Sequence, residues 1–255
     1  MRTTTAAAPV TGRIKVGQYS VNVRCTGKAT TKPTIVLLAG MPDPLTKFTA
    51  LQAALSKTTR VCSYDRLGEG ASATPVASQT LSDSATVLNG LLDALHVTGK
   101  IVIVGHSLGG LVATQFAHQY SSRVAAVVLL DATAPSVVHG IEALIPPSAT
   151  GISAEVRGEL TSLTSGKNPE KLVYAGQPIG SLGSIPLTVA QHGQQIFAAV
   201  PQYGKGIQDI WTKGQQQLAA LSSKGKLVTA TKSGHYIYVD QQALAVQLIE
   251  QALTG

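Results

Sequence analysis

Residues 101–112 read IVIVGHSLGGLV, and the rest of the chain is arranged around them. Ile101, Val102, Ile103 and Val104 form a short β-branched run, the composition of a strand buried on both faces. Gly105-His106-Ser107-Leu108-Gly109 follows, then Gly110 and a run whose apolar residues recur with helical spacing. Strand, sharp turn and helix in that order place a serine hydroxyl at the carboxyl end of a sheet. A serine on so tight a turn holds strained backbone angles, and side chains two positions to either side would collide with the strand and helix. Gly105 and Gly109 remove those side chains. The start of the next helix offers free backbone N–H groups and its positive dipole end.

Outward from this stretch, apolar runs and helical periods alternate. Strands are expected at 13–18 and 19–25 with a turn near Gly17, and at 34–38, 60–64, 124–130, 185–190 and 226–230. One helix between them carries Phe48, Leu51, Ala54 and Leu55 on a single face. A second, capped by Ser82 or Asp83, carries Val87, Leu88, Leu91, Leu92 and Leu95. Helices are also expected at 215–221 and 240–253, the latter with Leu244, Leu248, Ile249 and Ala252 on its apolar face. Residues 1–12 predict a loose tail. Residues 134–183, rich in Pro, Gly and Ser, break the alternation and hold short helical pieces such as 154–163. Strands of the same sheet flank them, so 13–255 reads as a single α/β domain with an insertion. Such a sheet is mostly parallel and binds ligands beyond the carboxyl ends of its strands. Met41, Ser107, Asp131 and His235 all follow strand ends, and so share that rim.

The chain has 255 residues, of which 13% are charged, with a net charge of +7. Its lysines are scattered, without a run or an interleaved aromatic stripe, which predicts a solvated basic surface and no nucleic-acid partner. No apolar span reaches the ~18 residues of a membrane helix. The Thr-rich, Lys/Glu-poor composition and only two cysteines, Cys25 and Cys62, suit an exported or cell-surface protein with one disulfide. MRTTTAAAPVTG has no apolar core, so it reads as a mature N-terminus with a start methionine and not as an intact signal peptide.

A serine nucleophile needs a base, and the base an orienting carboxylate. His96, His118 and His139 fall in helical or irregular stretches, His192 follows the 185–190 strand, and the His106 side chain is expected to point away from that of Ser107. His235 lies in a late loop after the last strand, preceded by a glycine that leaves room for an approaching side chain.

The segments GHSLGG, YDRLGEGAS and SGHYIYVDQ resemble those of the α/β-hydrolase superfamily, over about residues 13–253. VRCTG and RVCSYDR are similar to a group of exported bacterial members. The resemblance implies a mostly parallel eight-stranded sheet with helices on both faces and a small cap at about 134–183. It implies Ser107 as nucleophile, His235 as base, and the backbone N–H groups of Leu108 and Met41 as the oxyanion hole. Pro42 has no N–H, and Ala39-Gly40 stands where the superfamily usually has His-Gly, leaving Gly40 as the other candidate donor. In the superfamily's strand order the second and fourth strands are antiparallel neighbours, which implies a Cys25–Cys62 bond. The superfamily's acid follows the strand after the cap or, less often, the strand before it. Here the later strand runs into Gln191-His192-Gly193-Gln194 with no carboxylate before Asp209, whereas the earlier one delivers Asp131 to the rim. Asp131 is therefore the expected acid, and the rival Asp240 reads as the cap of the last helix. Asp65 and Arg66 are expected to pair and fix their turn. Leu144, Ile145, Leu163, Leu172, Val173 and Tyr174 are expected either to line an acyl pocket or to pack among themselves.

The implied activity is that of a serine esterase or lipase-like hydrolase, monomeric, without metal or cofactor, acting on small or polymeric esters. Epoxide hydrolases and haloalkane dehalogenases resemble this layout but carry aspartate at the elbow, where this chain has Ser107. Lactonase, thioesterase, peptidase and perhydrolase chemistry share the same groups. A hydrolase-derived binding or receptor module without turnover is the reading from a different class.

Overall fold

In a computed structural model that describes residues 9–254, eight strands form one sheet. They are β1 (Val10–Val16), β2 (Tyr19–Thr26), β3 (Thr34–Leu38), β4 (Val61–Tyr64), β5 (Ile101–His106), β6 (Val124–Leu130), β7 (Leu187–His192) and β8 (Gly225–Ala230). Their order is β1-β2-β4-β3-β5-β6-β7-β8, with β1, β2 and β4 antiparallel in turn and every other pair parallel. The helices are α1 (Thr49–Leu55), α2 (Leu81–Ala94), α3 (Leu108–Gln119), α4 (Pro135–Leu144), α5 (Gly151–Ser165), α6 (Gly204–Ala219), α7 (Ile237–Asp240) and α8 (Gln242–Ala252).

The period of two along the central strands divides the core between the sheet's faces. Val36, Leu38, Ile101 and Ile103 pack with Leu88, Leu92 and Phe116 of α2 and α3. Ile35, Leu37, Val102 and Val104 pack on the opposite face with Leu51, Leu55, Leu248 and Ile249 of α1 and α8. β5 is buried at all six positions, whereas edge strand β1 alternates between half-buried and exposed residues.

Several boundaries differ from the sequence reading. β1 begins before Arg13, because Val10 already pairs with Cys25; residues 1–8 of the expected tail lie outside the described residues. The cap of α2 is Thr80, whose side chain accepts from the Asp83 N–H while the Asp83 carboxylate accepts from the Thr80 N–H. Asp83 is thus the third helical residue of a capping box, and Ser82 caps nothing. Residues 134–183 are more helical than expected, since Pro135 opens α4 at a position where a missing N–H costs nothing. The helix expected at 215–221 begins instead at Gly204. Its glycines conceal it in the sequence yet serve the packing: a Cβ on Gly214 would lie 2.8 Å from that of Ala134.

Cys25 and Cys62 are register partners on β2 and β4 and are bonded, with Cα atoms 4.1 Å apart. The bond closes a separation of 37 residues. Replacing both cysteines by serine is expected to lower stability by about 4 kcal/mol on the chain-entropy account, read as a lower denaturation midpoint. Mass spectrometry of protein unfolded without reductant, in the presence of an alkylating agent, tests the bond itself. Two alkylated cysteines in oxidatively produced protein would overturn it. No helix among the described residues is long and apolar enough to cross a membrane.

Candidate active site

Ser107 is the hinge between β5 and α3, at φ 50° and ψ −124°, a conformation that L-residues seldom adopt. The steric reason for its glycines is visible in the packing. A Cβ on Gly105 would stand 2.5 Å from the Gly109 carbonyl oxygen, and one on Gly109 would stand 2.3 Å from that of Ala39. The α3 N-terminus therefore presses against both β5 and the end of β3. Among the described residues, the Ser107 hydroxyl has no hydrogen-bond partner.

Ser107, Leu108, Met41 and His235 line one end of a cavity of about 230 Å³. Leu160 and Leu163 of α5, together with Phe197 and Trp211, supply an apolar wall, and Asp43 and Glu159 bring carboxylates to it. Of the six insertion residues expected to line a pocket or pack internally, only Leu163 reaches this cavity. Ile145, Leu172 and Tyr174 are buried in the packing of the insertion, Leu144 lies against Gly206 of α6, and Val173 is exposed. Leu160, one turn before Leu163, completes the wall and was not legible because the periodicity of α5 is weak.

Asp131 follows β6 and is fully buried. Its Oδ2 accepts from His235 Nδ1 at 2.6 Å and from His192 Nδ1 at 2.8 Å. Its Oδ1 accepts from Trp211 Nε1 at 3.0 Å and from the His192 backbone N–H at 3.1 Å. Burial alone would raise this carboxyl, but the hydrogen bonds from His192 and His235 outweigh it and hold it well below the ordinary carboxylate range. Sequence reasoning missed both His192 and Trp211. They come from β7 and α6, and no local pattern marks a contact made across the fold.

The two rival carboxylates lie elsewhere. Asp209 forms an exposed ion pair with Lys205 at 2.6 Å. Asp240 does not cap α8; it belongs to α7, and its Oδ2 accepts from the Gly234 N–H at 2.8 Å and the Ser233 hydroxyl at 3.3 Å. It thereby fastens the loop that carries His235.

His106 is buried beneath that loop. Its Nε2 donates to the His235 carbonyl oxygen at 3.0 Å, and its ring lies 4.5 Å from the His235 ring and 4.9 Å from that of Tyr236. Burial, then the neighbouring His235, push its pKa down to about 3, so the ring stays neutral and holds its partner's backbone in place.

The turn after β4 also departs from expectation. Asp65 and Arg66 do not pair. Asp65 accepts from the Leu45 N–H at 2.6 Å, Asn22 Nδ2 at 2.8 Å and the Ala71 N–H at 2.8 Å. Arg66 points the other way, forks onto buried Glu170 at 2.6 and 2.9 Å, and donates to the Ala39 carbonyl. It thus ties the insertion to the strand end that presents Gly40 and Met41.

A sequence profile for the alpha/beta hydrolase fold matches residues 33–157. An uncharacterized protein of Mycobacterium tuberculosis is 37% identical over 100 residues, which cover 39% of this chain and 29% of that protein. A 2-(acetamidomethylene)succinate hydrolase of Mesorhizobium japonicum is 28% identical over 135 residues, 53% of this chain and 47% of that protein. The matched segments thus span less than half the length of either relative. Among solved structures, a thermophilic esterase from Thermogutta terrifontis superposes with a TM-score of 0.68 at 22% identity, over 97% of both chains. That likeness is one of fold.

Proposed function

The chain belongs to the α/β-hydrolase superfamily, and on that premise we propose that it cleaves carboxylic esters through an acyl-enzyme on Ser107. The observation that carries the proposal is the position of His235, which is bonded to a buried carboxylate through Nδ1 and lines the same cavity as the unengaged Ser107 hydroxyl. With Nδ1–H committed to Asp131, Nε2 carries the lone pair that takes the serine proton. Nε2 and the hydroxyl line the same cavity, and their hydrogen bond is expected to form as substrate fills it. Ser107 Oγ attacks the carbonyl carbon, and the oxyanion is met by the N–H groups of Leu108 and Met41, worth roughly 3–4 kcal/mol per donor. His235 then returns its proton to the leaving alcohol. A water, deprotonated by His235, attacks the acyl-enzyme, and collapse of the second tetrahedral intermediate releases the acid and restores Ser107. Asp131 stabilises the imidazolium in both halves without taking its proton.

The cavity, at about 230 Å³, lies below the ~300–1,000 Å³ of sites for drug-sized ligands, and its wall joins apolar side chains to the carboxylates of Asp43 and Glu159. Short, uncharged acyl groups fit this best. A succinate derivative, as in the name of the Mesorhizobium relative, would bring its carboxylates against Asp43 and Glu159. The buried disulfide between Cys25 and Cys62 supports a setting in an oxidising compartment outside the cytosol.

The test is covalent and kinetic together. A fluorophosphonate is expected to add once per chain, on Ser107, and p-nitrophenyl acetate and butyrate to be hydrolysed faster than decanoate or longer esters. An adduct on another residue would move the nucleophile. Neither labelling nor turnover would leave the binding-module reading in its place, and preferred turnover of a lactone, thioester or amide would replace the ester.

A further inference from the structure

Asp131 stands between two histidines, and only one of them reaches the cavity. His235 lines it, whereas His192 is absent from its lining and meets Gln208 and the rings of Phe197 and Trp211. We propose that His192 is a positioning residue whose Nδ1–H, together with its own backbone N–H and the Trp211 indole N–H, locks the Asp131 carboxylate so that Oδ2 faces His235. This inference rests on the acid–base reading of Asp131 and His235 given above.

The geometry accounts for why such a lock is needed. The terminal torsion of an aspartate is broad and two-fold, so a carboxylate held at one oxygen can swing. Here Oδ1 is held from two elements at once. His192, the last residue of β7, offers its backbone N–H at 3.1 Å and Nδ1 at 2.9 Å, and Trp211 of α6 offers Nε1 at 3.0 Å. Oδ2 is left for His235 at 2.6 Å, with His192 Nδ1 at its flank at 2.8 Å. The anchor is itself rigid. β6 and β7 are parallel neighbours, and the Asp131 N–H donates to the Ala190 carbonyl at 2.7 Å, two residues before His192. The His192 and Asp131 side chains are 1% and 0% exposed, so water cannot substitute for these donors.

The far side of the ring makes the lock insensitive to its charge. Gln208 brings its amide oxygen within 3.0 Å and its amide nitrogen within 2.9 Å of His192 Nε2. One amide rotamer therefore accepts from a protonated Nε2, and the other donates to a bare one. In both states Nδ1 keeps its proton on Asp131. His192 is not a second base, because its only free nitrogen is taken by Gln208 and has no path to Ser107.

Two isosteric substitutions separate this role from packing. The amide nitrogen of asparagine falls where Nδ1 stands, and that of glutamine falls near Nε2. His192→Asn is expected to keep kcat within about threefold of the native protein, while His192→Gln loses about ten- to a hundredfold, the scale of a misplacement near 1 Å. KM should move by no more than about twofold in either variant, as befits an effect on charge stabilisation during reaction. A second readout does not need turnover: the proton shared by His235 and Asp131 gives a far-downfield proton NMR resonance, unmoved in His192→Asn and shifted or lost in His192→Gln. Native kcat and an unmoved resonance in folded His192→Gln would overturn the proposal, as would equal loss in both variants with the resonance unchanged. If the native protein neither labels nor turns over, the ester-hydrolase reading fails, and the resonance alone then decides the role of His192.

Discussion

Ser107→Ala is expected to lower kcat by about six orders of magnitude and to abolish fluorophosphonate labelling, with the fold intact. The size follows from covalent catalysis: without Oγ no acyl-enzyme forms, and water must reach the carbonyl without a positioned nucleophile. What is left is the contribution of binding and of the oxyanion N–H groups. Stability should change little, since the hydroxyl has no hydrogen-bond partner among the described residues and alanine must adopt the same φ of 50°. Burst and steady-state rates with p-nitrophenyl acetate, beside a thermal melt, give both numbers. A folded variant within tenfold of the native rate would show that the acyl group is carried elsewhere.

The elbow was legible because its causes are local. A β-branched run, two glycines flanking a serine and a helical period occupy twelve consecutive residues, and each has a steric or solvation reason that needs no knowledge of the rest of the fold. That Asp131 and His235 share one rim was legible one step less directly, from their place after strands of a parallel sheet. The residues that were not legible are those whose partners are far along the chain. Arg66 reads as the partner of adjacent Asp65, yet neighbouring residues of an extended segment face opposite ways, and Arg66 meets Glu170 instead, 104 residues on. His192 reads as an unremarkable strand end until Asp131 is seen beside it. α6 was concealed by Gly204, Gly206 and Gly214, which lower helix propensity; Gly206 and Gly214 let α4 approach closely and Gly204 admits the Phe197 carbonyl, a case of packing overriding propensity.

Asp131→Asn is expected to lose both activity and stability. On activity the expectation is a fall in kcat of about four orders of magnitude with KM little affected. The donors around the carboxylate explain the direction. The backbone N–H of His192 and the Trp211 indole hold the oxygen of the new amide at the Oδ1 position, so its NH₂ group points at His235. A donor cannot face Nδ1–H. His235 must therefore move its proton to Nε2, the tautomer that cannot accept from Ser107. Stability also suffers, because Asp131 is a fully buried anion with donors from His192, His235 and Trp211. The neutral amide keeps fewer of these hydrogen bonds, and a buried donor left without its acceptor costs roughly 1–3 kcal/mol. The pH dependence carries its own sign. The folded-state pKa of Asp131 is depressed, so its contribution is fully present above the unfolded value of about 3.9 and fades as pH falls from there toward the folded one. The melting-temperature gap between native protein and Asp131→Asn should thus be widest near neutrality and narrow below about pH 4. Asp209→Asn, at an exposed ion pair, should alter neither rate nor melting temperature. A nearly active Asp131→Asn beside an inactive Asp209→Asn or Asp240→Asn would place the acid on one of those residues and remove Asp131 from the reaction.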